Sequence, residues 1–145
     1  MVPRLATIGY ESATLPDVIG RLKDAGVEIV IDVRAVASSR RAGFSKTLLA
    51  GSLKAEGIDY LHLRGLGTPK SGRQAAHAGR IGEMHEIYHR HLEEPEAQSQ
   101  LADAVEVAKT RAAALLCYEA DVAGCHRAIV ADLIKDQLGC EVVNL

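Results

Sequence analysis

A chain of 145 residues that is 48% apolar can enclose a hydrophobic core and is too apolar for a disordered segment. Its 17 basic and 19 acidic side chains leave a net charge of -2, which excludes a general polyanion binder while leaving room for a local cationic pocket. Aromatic residues make up 3% and Trp is absent, so Leu, Ile, Val and Ala must build that core.

Short β-rich runs alternate with helical patterns. RLATIGY begins as a strand, after which Thr14 is a good N-cap for a helix opening Leu15-Pro16. Leu15, Val18, Ile19 and Leu22 give that helix its apolar stripe, and Gly26 sits where a helix ends. EIVIDVR is the nearly continuous apolar run of a strand covered on both faces. Residues 45 to 56 look helical, and Gly57 closes them before the strand IDYLHL.

The polar, Gly-rich stretch from 64 to 80 reads as a long loop of the kind that carries function. Two helices follow, about 81 to 94 and 96 to 111, divided at Pro95. The strand AALLCYE leads through ADVAG to a helix from about 125 to 138, closed by Gly139, and CEVVNL makes a last strand. This β-α-β-α-β-α-α-β-α-β order predicts one α/β domain over 1–145: a mainly parallel five-stranded sheet with helices on both faces.

No window approaches the roughly 20 apolar residues of a membrane span. MVPRLATIGYE reaches polar residues too soon for a secretory leader. Cys117, Cys125 and Cys140 are therefore expected to be free thiols of a cytoplasmic protein.

In open α/β sheets ligands bind beyond the carboxyl ends of the strands. Here those ends are unusually polar. Tyr10 and Glu11 follow the first strand. Asp32 and Arg34 share a face at the end of the second, ahead of Ser39, Arg40 and Arg41. His62 and Arg64 end the third, and Cys117 and Glu119 the fourth. Any one of these is most simply an ion pair, a cap or a packed histidine. Their convergence on one sheet edge points to a site, because charges on apolar strands are costly unless paired.

The strongest local signal is CYEADVAGCHR (117 to 127), which sets Cys125, His126 and Arg127 at the first turn of the last helix. Unpaired N–H groups and the positive dipole end favour an anion there, with His126 and Arg127 as directional donors. Either thiol is also a candidate nucleophile, since a helix N-terminus lowers a thiol pKa. A metal site is not expected of Cys117, Cys125 and His126, whose spacing matches no standard zinc pattern.

HEIYH (85 to 89) has the spelling of a helical zinc motif. On a helical wheel, however, Ile81, Met84, Tyr88 and Leu92 form the apolar stripe, and His85 and His89 merely flank it. No third ligand follows downstream. Zinc is not expected there.

GYE (9 to 11), DVR (32 to 34), SR with GFSK (39 to 46), LGTPK with Arg73, and CYE with CHR (117 to 127) occur in one order. In this the chain resembles the domain-of-unknown-function family 488 along almost its whole length, departing at Ser12, where a small residue such as Gly is expected. The resemblance implies a shared α/β domain and a polar cluster of Tyr10, Glu11, Asp32, Arg34, Ser39, Arg40, Phe44, Ser45, Lys46, Lys70, Arg73, Cys117, Glu119, Cys125, His126 and Arg127. It names no reaction. A second likeness is to rhodanese-type sulfurtransferases, carried by IDVR and by a strand, a Cys and a turn into a helix; the Cys loop is longer here.

The expectation is an enzyme of hydrolase or phosphoryl-transfer type on an anionic, phosphorylated or nucleotide-like substrate. Arg34, Arg40, Lys46, Lys70, Arg73 and Arg127, with Tyr10 and Ser39, would bind it. Glu11, Asp32, Glu119 and His126 would supply acids and bases, or the three carboxylates a Mg²⁺ site. The alternatives are a non-catalytic module for a nucleotide or nucleic-acid end, and sulfurtransferase-like chemistry at Cys117 or Cys125.

Overall fold

Five short strands take up the apolar runs: β1 (Leu5–Gly9), β2 (Ile29–Asp32), β3 (Asp59–His62), β4 (Ala113–Cys117) and β5 (Val142–Asn144). The computed structural model describes residues 4–119 and 125–145. All described pairings are parallel, and the sheet runs β3-β2-β4-β1-β5. Every residue of β1, β2 and β4 is buried, as strands covered on both faces require.

The helices among the described residues are α1 (Leu15–Asp24), α2 (Lys46–Ala55), α3 (Lys70–His77), α4 (Ile81–Leu92), α5 (Pro95–Thr110) and α6 (Arg127–Leu138). On one face, Val18 and Leu22 of α1 and Leu49 and Leu53 of α2 pack on Ala6, Ile8, Val30, Ala114 and Leu116. On the other, Met84, Tyr88, Leu101, Val105, Val130 and Ile134 from α4, α5 and α6 meet Leu5, Ile29, Ile31 and Leu115. The alternating side chains of each strand thus feed two separate cores, which makes the expected three-layer α/β arrangement. None of the helices is long and apolar enough to cross a membrane.

Local signals set the helix ends. The Thr14 hydroxyl accepts from the Asp17 N–H, and the Asp17 carboxylate accepts from the Thr14 N–H, closing a capping box worth about 1 kcal/mol. Gly139, at φ 66°, ends α6 in the left-handed region where glycine is unstrained.

The stretch from 64 to 80 corrects the expected loop. It holds a 3₁₀ turn (Arg64–Leu66) and the helix α3, which packs on α4. Its inward residues are Gly72 and Ala75. A Cβ on Gly72 would come 2.5 Å from Thr68 Cγ2, so smallness serves close packing there. The helix has a small-residue face in place of an apolar stripe, which is why its sequence reads as loop.

Candidate functional site

At the carboxyl end of β2, Asp32 and Arg34 form a bidentate ion pair at 2.7 and 2.9 Å, with Asp32 fully buried and Arg34 nearly so. The Asp32 carboxylate also accepts the Arg34 N–H at 3.1 Å and the Tyr60 hydroxyl, from the neighbouring β3, at 2.5 Å. Arg34 gives its remaining inner donors to the Tyr10 hydroxyl at 2.9 Å and the Phe44 carbonyl at 2.8 Å. Burial works against the Arg34 charge, but Asp32 outweighs it and holds the guanidinium protonated. Burial, then the hydrogen bond to Asp32 and the Asp32 charge, raises the Tyr60 phenol well above its ordinary value. Asp32 is thus saturated as the anchor of Arg34. Tyr10 stacks on Phe44 with ring centroids 4.2 Å apart, which fixes the GYE and GFSK segments against each other.

Two adjoining hollows, of about 320 and 470 Å³, open at the strand ends. Both are bordered by Thr68, Arg73, His77, Tyr118, Glu119 and His126. The smaller adds Glu11, Met84 and Cys125; the larger adds Tyr10, Arg34, Ser39, Arg40 and Cys117. Close backbone approaches shape this cleft. A Cβ on Gly67 would lie 2.2 Å from the Ala35 nitrogen, and one on Gly9 would lie 1.7 Å from the Glu119 carbonyl oxygen. Gly67 therefore lets the LGTPK segment lie against the end of β2, and Gly9 lets β1 lie beside the end of β4. Arg73 is held by donating to the Thr68 carbonyl at 2.7 Å, while Arg40 stands exposed.

The end of β4 and the start of α6 meet at the cleft floor. Cys117 and Cys125 are paired sulfur to sulfur, with Cα atoms 7.7 Å apart, and Cys140 is buried and free. Of the three cysteines expected to stand apart as thiols, Cys140 does so, whereas the sulfurs of Cys117 and Cys125 lie against each other. Cys117 Sγ lies 3.5 Å from Glu119 Oε2 and accepts from Arg127 Nη1 at 3.0 Å. The Arg127 guanidinium also donates to the Glu119 carbonyl. His126 stands at the N-cap position of α6, its Nε2 2.7 Å from the Val33 carbonyl oxygen and its Nδ1 3.8 Å from Cys125 Sγ. Burial, helped by the Arg127 charge, lowers the His126 pKa to about 4, so the ring is neutral at pH 7.

At the helix end the two expected donors are placed differently. Arg127 is 1% exposed and turned under Cys117, and the Nε2 of His126 is committed to Val33. His126 borders both hollows, whereas Arg127 borders neither. Residues 120–124 of CYEADVAGCHR, Asp121 among them, lie outside the described residues.

Of the other expected residues, Lys46 and Lys70 are exposed at helix starts and border neither hollow. Ser39 accepts from the Arg41 N–H and takes the Ser45 hydroxyl on its carbonyl, so it braces the loop after β2. His62 turns its Nε2 to the Arg34 carbonyl at 2.7 Å, and Arg64 leaves the cleft toward Glu96. Glu11, Asp32 and Glu119 do not gather as a Mg²⁺ site; among the described residues, the group of three or more metal-ligating side chains is Cys117, Glu119 and Cys125. Among the described residues, His85 and His89 belong to no group of three metal-ligating side chains. Between them Tyr88 is fully buried, donating its hydroxyl to the Leu66 carbonyl at 2.6 Å.

Sequence reasoning missed Thr68, His77 and Tyr118. His77 follows Arg73 by four residues and shares its helix face, a relation visible only once α3 is recognised as a helix. A model of the family described as "Domain of unknown function DUF488" matches residues 14–134, and the chain belongs to that family. The match leaves GYE outside it. No curated protein and no solved structure matches the chain.

Proposed function

We propose that this member of the DUF488 family is an enzyme of hydrolase or phosphoryl-transfer type acting on a small anionic, phosphorylated or nucleotide-like substrate in the double hollow at the strand ends. The observation that carries the reading is the meeting of both charge signs in one concave space. Arg73 and Glu119 border both lobes, Arg40 the larger and Glu11 the smaller. Guanidinium groups suit the paired oxygens of a phosphate, and a neighbouring carboxylate is a ready general acid or base. Arg34, neutralised by Asp32, holds the wall in place.

A second reading, a binding module for a nucleotide or nucleic-acid end, draws on Tyr118 and Val36. Both are large, apolar and exposed, at 42% and 53%, and both border the larger lobe beside Arg40. An aromatic platform next to a cation suits a stacked base and needs no chemistry.

The test is a panel of nucleotides and phosphate esters offered to the full chain, with adenosine monophosphate as the binding probe. The enzyme reading expects turnover that falls about 100-fold or more in Glu11→Gln with probe binding retained. It also expects weaker probe binding in Arg73→Ala. Binding without turnover of any panel member establishes the module instead. Neither binding nor turnover sinks both. Turnover abolished by iodoacetamide on Cys125, and spared in Glu11→Gln, establishes thiol chemistry.

A further inference from the structure

We propose that Cys117, Glu119 and Cys125 form a binding site for a zinc-class divalent ion, with one coordination position open to the cleft. The donor atoms of the three side chains all lie within 4.8 Å of one another, and both cysteines are buried. Ligand atoms around a tetrahedral zinc stand roughly 3 to 4 Å apart, so the two sulfurs part slightly to admit the ion.

The backbone favours this over a covalent bridge. Disulfides usually join Cα atoms about 4.4 to 6.8 Å apart, and wider pairs need backbone movement. At 7.7 Å, Cys117 and Cys125 lie beyond that range. An ion between two thiolates, each about 2.3 Å from it, spans the gap without drawing the strand and helix together.

Charge and hydrogen bonding agree. Cys117 Sγ and a Glu119 oxygen, two groups that ionise to anions, sit 3.5 Å apart in a largely buried place. Two thiolates and a carboxylate carry three negative charges, which a divalent ion and the Arg127 guanidinium together neutralise. Arg127 Nη1 lies 3.0 Å from Cys117 Sγ, and the Arg127 backbone N–H donates to Cys125 Sγ at 3.5 Å. Each sulfur thus has an outer donor of the kind that orients metal ligands and tunes their basicity. Thiolate ligands select zinc over Mg²⁺ or Ca²⁺.

Cys125 and Glu119 both border the smaller hollow, which leaves water or substrate the fourth position. Three protein ligands and an open position make the arrangement of catalytic zinc, able to polarise an oxygen of whatever the cleft holds. The site does not rest on the anion reading. Metal content and turnover are measured separately, so either can fail alone.

The experiment purifies the full chain under a phosphine reductant, measures metal content, then titrates the stripped protein with zinc and with cobalt. Expected are one zinc per chain and a thiolate-to-cobalt charge-transfer band. Glu119→Gln is expected to weaken zinc binding about 10- to 100-fold, and Cys125→Ser to abolish the band. The double variant His85→Ala, His89→Ala keeps its zinc. A folded, reduced wild-type chain that takes up no zinc overturns the proposal. So does zinc retained at full affinity in Cys125→Ser, or a Cys117–Cys125 disulfide that survives the reductant. Should Cys125→Ser fail to fold, the wild-type cobalt spectrum still decides whether thiolates bind the ion.

Discussion

His126 reaches across the end of the sheet to Val33, its Nε2 2.7 Å from the carbonyl oxygen, and so ties the start of α6 to the residue that follows β2. The ring is neutral because it is buried; the bond to the Val33 carbonyl itself favours the protonated form and is outweighed. Burial lowers its pKa from 6.5 to about 4, Arg127 pushing the same way and Asp32 opposing. Between those values the unfolded chain holds the extra proton and the folded chain does not. This contribution to stability is therefore whole above about pH 6.5 and is lost as pH falls toward 4, by about 3 kcal/mol at most. Urea midpoints from pH 7 to 4 should decline less steeply in His126→Gln than in the wild type. Parallel profiles would contradict the assignment.

The Asp32–Arg34 pair predicts an asymmetric pair of variants. Asp32→Asn strands a buried guanidinium and should cost about 3 to 5 kcal/mol of unfolding free energy. Tyr60→Phe removes one donor to a carboxylate that keeps three others, and should cost about 1 to 2 kcal/mol. Chemical denaturation compares them directly. A Tyr60→Phe loss as large as that of Asp32→Asn would mean that the phenol, not the guanidinium, anchors the carboxylate.

Two glycine-to-alanine changes should move stability in opposite directions. Gly9→Ala drives a methyl into the Glu119 carbonyl and should destabilise by about 1 to 3 kcal/mol or more. In α1, Gly20 has nothing within 4 Å of an added Cβ. Gly20→Ala should therefore stabilise by up to about 1 kcal/mol, through helix propensity and a less flexible unfolded chain. Melting temperatures on either side of the wild type would bear this out.

Within HEIYH the decisive residue is the tyrosine. Burial holds the Tyr88 phenol protonated, and its hydroxyl is bonded to Leu66. Tyr88→Phe leaves that buried carbonyl unpaired and should cost about 1 to 3 kcal/mol. His89→Ala, at an exposed position, should stay within about 0.5 kcal/mol of wild type. Equal losses in the two would show that the exposed face of α4 contributes as much as its core stripe.

What the sequence makes legible here is what neighbours in sequence decide. Thr14 and Asp17 cap a helix three residues apart, Gly139 closes one, and the apolar runs announce β1, β2 and β4. Residues joined by sheet register are harder to foresee. Asp32 and Arg34 share a face by spacing alone, but the third partner, Tyr60, comes from the adjacent strand. The role of His126 depends on how closely α6 approaches the end of β2, which no spacing within CHR reveals. The pairing of Cys117 with Cys125 is of the same kind. Helix α3 is missed for another reason: a small-residue face leaves no hydrophobic period to read.

The order β3-β2-β4-β1-β5 also has a consequence for how the molecule is made. The first two strands are not neighbours; β4, more than a hundred residues into the chain, lies between them and pairs with both. During synthesis the emerging amino-terminal half can pair β2 with β3, but the strongly apolar β1 has no strand to join until β4 appears. Assembly waits for residue 117 to leave the ribosome, and the same late segment delivers Cys117 and Glu119. The strand that joins β1 to β2 thus also begins the cleft floor, which the start of α6 then completes.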